Sequence, residues 1–247
     1  MKARMLRNRW KMWLVIAVGG AALLFVGAPF AYIHFVQGKA PAPLTLGSPS
    51  PVATTTATAS ASAGATTGST DSGSTTDGTW KTSNGSVVGY RVKEVLFGQS
   101  NVAVGRTSQV TGSIVVTGTK VTAGTFTVDM TTVASDESRR DGQFNGRIME
   151  TSTYPTATFT LTSPIDFGTV PAKGARRTLQ ARGNLTLHGV TKAVVFNVTG
   201  EYSGSAVQVV GSIPITFADW NIQNPSFGAV TTEDHGVLEF SLNFAHA

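Results

Sequence analysis

The amino-acid sequence predicts an all-β domain, an extended antiparallel barrel of about eight strands with one short helix, preceded by one transmembrane helix and a disordered linker. Three observations predict it. From Trp80 onward apolar residues recur at every second position, the period of a strand with one dry and one wet face. Residues 12–36 form an uncharged run of 25 residues, longer than the apolar core of about 7–15 residues in a secretory signal. Between the two, residues 37–79 are dominated by Ala, Thr, Ser, Gly and Pro. Such a segment has too little apolar surface to offset its ordering entropy.

Residues 1–11 are a basic tail carrying Lys2, Arg4, Arg7, Arg9 and Lys11. At 1.5 Å per residue the run 12–36 gives roughly 37 Å of helix, more than the ~30 Å hydrocarbon core of a bilayer. It is expected to stay uncleaved as an anchor. The basic tail then remains in the cytoplasm and everything after residue 36 lies outside, with the protein in the cell membrane as a single-pass chain. In the linker, Pro41, Pro43, Pro49 and Pro51 stiffen the start, and Leu44, Leu46 and Val52 are the larger apolar residues. A flexible chain of this length has an r.m.s. span of roughly 35 Å, which holds the domain near the membrane.

The formal charge of +5 belongs to the N-terminus. Residues 1–40 hold six bases and no acid, whereas residues 79–247 hold thirteen bases and twelve acids. A near-neutral domain removes the main support for a nucleic-acid partner. The absence of Cys excludes a disulfide framework and a cysteine zinc site.

Within 80–247 the strands are read from their faces. Thr178–Leu187 sets Leu179, Ala181, Gly183, Leu185 and Leu187 against Thr178, Gln180, Arg182, Asn184 and Thr186. Thr156–Thr162 sets Ala157, Phe159 and Leu161 against four Thr. Ser205–Phe217 carries Val207, Val209, Ile213, Ile215 and Phe217 on one side, and Leu238–Phe244 carries Leu238, Phe240, Leu242 and Phe244. Ser86–Phe97, Arg106–Thr117, Val121–Thr131 and Val190–Tyr202 complete the set. Turn signals at Thr117-Gly118, Tyr154-Pro155, His188-Gly189 and Ser203-Gly204 separate them. Ser135–Met149 interrupts the alternation and suits a short helix capped by Ser135, with Asp136 and Glu137 in its first turn. It is either a solvated surface element or a mouth element that offers Arg140 to a ligand head group.

Eight antiparallel strands with one apolar face hide that face, and lose their edges, by closing. A barrel of this size has room for packed side chains or for one slender ligand, and alternation alone leaves both open. No nucleophile elbow, HExxH, P-loop or dinucleotide fingerprint is present in the sequence. The sequence therefore gives no positive argument for catalysis, a catalytic residue, a metal or a cofactor.

The domain resembles the YceI-like family of extracytoplasmic, lipocalin-like proteins. The resemblance runs from Trp80 and Ser86-Val87-Val88-Gly89-Tyr90-Arg91-Val92, through Arg140-Asp141-Gly142-Gln143-Phe144 and Tyr154-Pro155-Thr156-Ala157-Thr158-Phe159. It ends in Gly183-Asn184-Leu185-Thr186-Leu187-His188-Gly189-Val190-Thr191-Lys192. Gln143 stands where the family often has His, and Phe217–Ile222 departs from the family's usual segment. The resemblance implies a barrel whose apolar lumen holds a polyisoprenoid chain, isoprenoid quinones included; with no catalytic motif in the sequence, the chain is not expected to be an enzyme. On that reading the candidate ligand-binding residues are Phe159, Leu161, Leu185, Leu187, Val209, Ile213, Leu238, Phe240 and Leu242, with Arg140 and Phe144 at the mouth. Two alternatives stand beside it. One is a structural or interaction module whose lumen is filled by Phe126, Phe159, Phe196, Phe240 and Phe244. The other is a barrel enzyme for a small amphiphile, pairing Arg140 with Asp141 or Asp219.

Overall fold

A computed structural model describes residues 40–47, 76–96 and 98–247. The basic tail 1–11, the apolar run 12–36 and most of the linker 37–79 lie outside the described residues. No described helix is long and apolar enough to cross a membrane.

The chain folds as a meander in which each stave pairs antiparallel with the next and the last closes on the first. The first stave is β1 (Gly78–Thr82) continued by β2 (Val87–Leu96), and the second is β3 (Gln99–Thr107) continued by β4 (Val110–Thr117). The third is β5 (Lys120–Asp129), extended by the short β6 (Ala134–Ser135). The fourth is β7 (Thr156–Leu161), followed by β8 (Ile165–Asp166). The remaining four are β9 (Arg176–Leu187), β10 (Val190–Tyr202), β11 (Ala206–Thr216) and β13 (His235–His246), the last preceded by β12 (Val230–Thr232). Closure is made by β13, which pairs with β1 from Trp80↔His246 to Thr82↔Phe244 and with β2 from Ser241↔Val87 to Val237↔Arg91.

The result is a closed eight-staved barrel, as the alternation predicts. Val190–Tyr202 matches β10 in full, and the other expected strands differ mainly by a residue or two at their ends. The larger differences are at β1 and at β3. In β3 the inward positions are small, Ala103 and Gly105, while Val102 and Val104 point outward. That inverts the usual contrast between faces and hides the strand.

Ser135–Met149 forms a shorter helix than expected. Helix α1 spans Ser138–Gln143, and Phe144–Ile148 continues it as a wider π turn. Glu137, not Ser135, caps α1, its side chain accepting from the Arg139 amide. Ser135 is held in β6, where its amide and hydroxyl both donate to Asp141. The hairpin at His188-Gly189 has both residues at positive φ, 48° and 73°, the geometry of a two-residue turn that follows the sheet's twist. His188 itself is buried, its Nδ1 3.1 Å from the Trp220 carbonyl.

The inner face is aromatic and closely ordered. Phe159 meets Phe196 edge-on at 5.4 Å, Phe196 meets Phe240 at 5.9 Å, and Phe126 meets Phe244 at 5.8 Å. Several of these rings lie over glycines of the neighbouring strand. A Cβ at Gly211 would stand 2.5 Å from the Phe240 ring, and one at Gly183 would stand 2.2 Å from Phe159. The missing side chains let the rings lie along the wall and not across the lumen.

Candidate functional site

The space inside the staves is a cavity of about 370 Å³ whose lining runs from Trp80, Phe167 and Tyr202 at one end to Glu94, Arg140 and Ile222 at the other. Its walls follow from strand parity. Odd residues of β9 and β11 and even residues of β10 and β13 point inward, placing Leu185, Val209, Phe196 and Leu242 on one continuous apolar surface. A cavity of this size and polarity falls within the range of small-molecule sites. Phe126, Phe159, Phe196, Phe240 and Phe244 line it and leave it open.

All eleven residues singled out in the sequence face this cavity: Phe159, Leu161, Leu185, Leu187, Val209, Ile213, Leu238, Phe240, Leu242, Arg140 and Phe144. The fold adds Trp80, Tyr90 and Glu94. In β2 the alternation of Val88, Tyr90, Val92 and Glu94 with Arg91 and Lys93 is the signal for Tyr90 and Glu94. It is blurred by Val87 and Val95 on the other face.

Polar groups gather at the end that carries α1. Arg140 Nη2 lies 3.3 Å from Glu94 Oε1, and Asn101 Nδ2 donates to the same oxygen at 2.8 Å. Arg140 Nη1 donates to Asp136. Burial alone would lower the Arg140 pKa, but Glu94 and Asp136 outweigh it and the guanidinium is held charged above its ordinary value. Tyr90 stacks on Phe144 at 5.1 Å with 12° between planes. Burial pushes the Tyr90 hydroxyl well above the usual tyrosine range, against the lowering effect of Arg140, so it is a neutral donor at physiological pH. The rim is thus one fixed cation, its carboxylate partners and one phenol beside an apolar channel.

The two carboxylates named beside Arg140 in the sequence have other partners. Asp141 is engaged by Ser135, and Asp219 pairs with Lys192 at 2.8 Å. Neither is the partner of Arg140. Among the described residues no three His, Asp or Glu side chains converge as a metal would require. At the opposite end Trp80 Nε1 donates to the Thr76 carbonyl at 2.9 Å, and its ring meets His246 and Tyr202 edge-on.

The structure is thus a closed meander barrel around an apolar lumen, with charged side chains only at its two ends. The YceI-like domain model matches residues 80–244, and the chain belongs to that family. Among solved structures it is similar to a polyisoprenoid binding domain from Saccharophagus degradans implicated in plant cell wall breakdown. That similarity has 18% identity and a TM-score of 0.56, covering 69% of this chain and 99% of that one. Burkholderia cenocepacia BcnA is 21% identical with a TM-score of 0.48, covering 62% of this chain and 95% of its own. A Campylobacter jejuni YCEI protein is 15% identical with a TM-score of 0.43, covering 56% and 83% respectively. Comparison with curated proteins gives no match.

Proposed function

We propose that the barrel is a binding or carrier protein for a polyisoprenoid or similar amphiphilic lipid, isoprenoid quinones included, held in the lumen. The single observation that carries this reading is the apolar cavity running between the two ends of a closed barrel. The membership of the YceI-like family and the likeness to a polyisoprenoid binding domain support it.

The energetics define what the protein must supply. Removing a prenyl chain from water is favourable by about 0.8 kcal/mol per CH₂. In a bilayer that chain is already dry, so transfer from lipid to lumen is nearly neutral. Selectivity then rests on the bore of the channel and on the polar rim, where Arg140 and Tyr90 offer donors to a head-group oxygen while Phe144 stacks beside it. The N-terminal run 12–36 serves as a membrane anchor, with the barrel on the extracytoplasmic side, so that uptake and delivery occur next to the lipid source.

Trp80 lies on the lumen wall and provides the readout once Trp10, Trp13 and Trp220 are replaced by Phe. Adding an isoprenoid quinone to the purified protein quenches its emission, saturating at one equivalent. A linear, unsaturable response equal to that of free tryptophan refutes the proposal.

A further inference from the structure

One segment of the expected linker does not behave as coil. Residues 41–47 lie against the outer wall of the barrel. Arg91 Nη2 donates to the Pro41 carbonyl at 2.7 Å, and Arg106 donates to the Ala42 carbonyl. The Leu44 amide donates to Glu239 at 3.4 Å and the Gly47 amide to Gln208 at 2.9 Å. The seat is built. Glu239 is 4% exposed, and Arg106 and Arg91 flank it at 2.7 and 3.4 Å. Two guanidiniums clamped on one buried carboxylate turn their remaining N–H groups outward, onto the strap's carbonyls. Leu44 and Leu46 are the strap's half-buried residues.

The contacts also give a direction. Arg91 is level with Val237 of β13, and Gln208 is level with Asn243. Six residues of strand span about 20 Å, as do the six steps from Pro41 to Gly47 when extended. The strap therefore crosses obliquely from β2 over β13 to β11, and because Arg91 stands nearer the Arg140 rim than Gln208 does, its N-terminal end points toward that rim. The apolar run 12–36 ends five residues before Pro41, a reach of at most about 17 Å. Five residues also separate Arg91 from Leu96 at the rim. On that same rim Phe227 is 70% exposed with Arg147 over its ring at 5.8 Å. Its neighbour Pro225 lines the cavity and accepts from Arg147.

We propose that residues 40–47 are a strap that pins the barrel with its Arg140 rim against the bilayer, where Phe227 meets the lipid. The strap thus replaces a loose tether with a short one and aims the lumen at its source. The orientation rests on the anchor reading of residues 12–36; the docking of the strap does not. The chain contains no Cys, so single-cysteine variants of the full chain report position cleanly. Gln223→Cys marks the rim and Ser205→Cys the opposite end. In phosphatidylcholine vesicles containing nitroxide-labelled lipid, a fluorophore at 223 is quenched and one at 205 is not. Leu44→Pro together with Gly47→Pro deletes both strap amides, which donate to Glu239 and Gln208, and removes that difference while the chain still floats with the vesicles. In hydrogen exchange, the Leu44 and Gly47 amides are protected in the native chain.

Equal quenching at the two ends, in a chain that floats with vesicles, overturns the orientation. Unprotected amides at Leu44 and Gly47 overturn the strap. A full chain that fails to float overturns the anchor reading and the orientation together, while isoprenoid binding, measured separately by Trp80 quenching, stands or falls by itself.

Discussion

Adding one methyl group at Gly211 moves an aromatic ring into the lumen. The new Cβ would stand 2.5 Å from Phe240 Cζ and 3.0 Å from the Asn197 carbonyl, where ordinary contact begins near 3.4 Å. The backbone contact is tight but tolerable; the ring contact is not. The ring must recede by about 1 Å, and the wall behind it leaves only the cavity. Overpacking of this kind costs about 1–3 kcal/mol, or a melting shift of roughly 2–4 °C per kcal/mol for a domain of this size. The ring then occupies space that a prenyl chain needs, and loss of about 1.4 kcal/mol of that contact is tenfold in affinity. The assay pairs thermal melting with titration by an isoprenoid quinone. Gly211→Ala melts lower and binds at least tenfold more weakly, and adding Phe240→Leu restores binding by giving the space back. A variant that melts lower yet binds as tightly as the native protein refutes the claim that the ligand lies at this level of the lumen.

Three further outcomes follow from the same geometry. Phe244, 1% exposed at the Trp80 end, costs about 3–5 kcal/mol when cut to Ala, read by chemical denaturation. Arg140→Gln strands Glu94 at the rim and costs about 3 kcal/mol, whereas the Arg140→Gln, Glu94→Gln pair recovers most of it, as a double-mutant cycle will show. Tyr90 keeps its proton when folded but ionises near pH 10 when unfolded. It leaves stability untouched below that pH, and stability falls as pH rises past it; Tyr90→Phe flattens the fall in alkaline melting curves.

Strand faces were legible wherever an inward apolar residue faced an outward polar one. Leu185 and Leu187 of β9 and Leu238, Phe240 and Leu242 of β13 could be placed on the lumen from alternation alone, because Arg182, Asn184 and Glu239 mark the other side. Where Gly or Ala points inward, as at Ala103 and Gly105, the contrast vanishes and β3 was lost. Whether the phenylalanines fill the lumen or line it was not legible, because that depends on which glycine sits beside each ring across the sheet. Gly211 and Phe240 are 29 positions apart in sequence yet opposite in register. Arg140 was legible as a mouth residue, but not its pairing with Glu94, which joins α1 to β2 through tertiary structure. The strap was least legible of all. Leu44 and Leu46 stand out in a polar tract, but their seat is formed by Arg91, Arg106 and Glu239 from three strands that only the closed barrel brings together.

Occupancy of the lumen is read by native mass spectrometry of the protein purified without detergent, with organic extraction of whatever accompanies it. A lipid-holding barrel carries one prenyl lipid per chain, released on unfolding and identified by its mass. Lipid-free protein that also takes up no added isoprenoid quinone contradicts the proposed function.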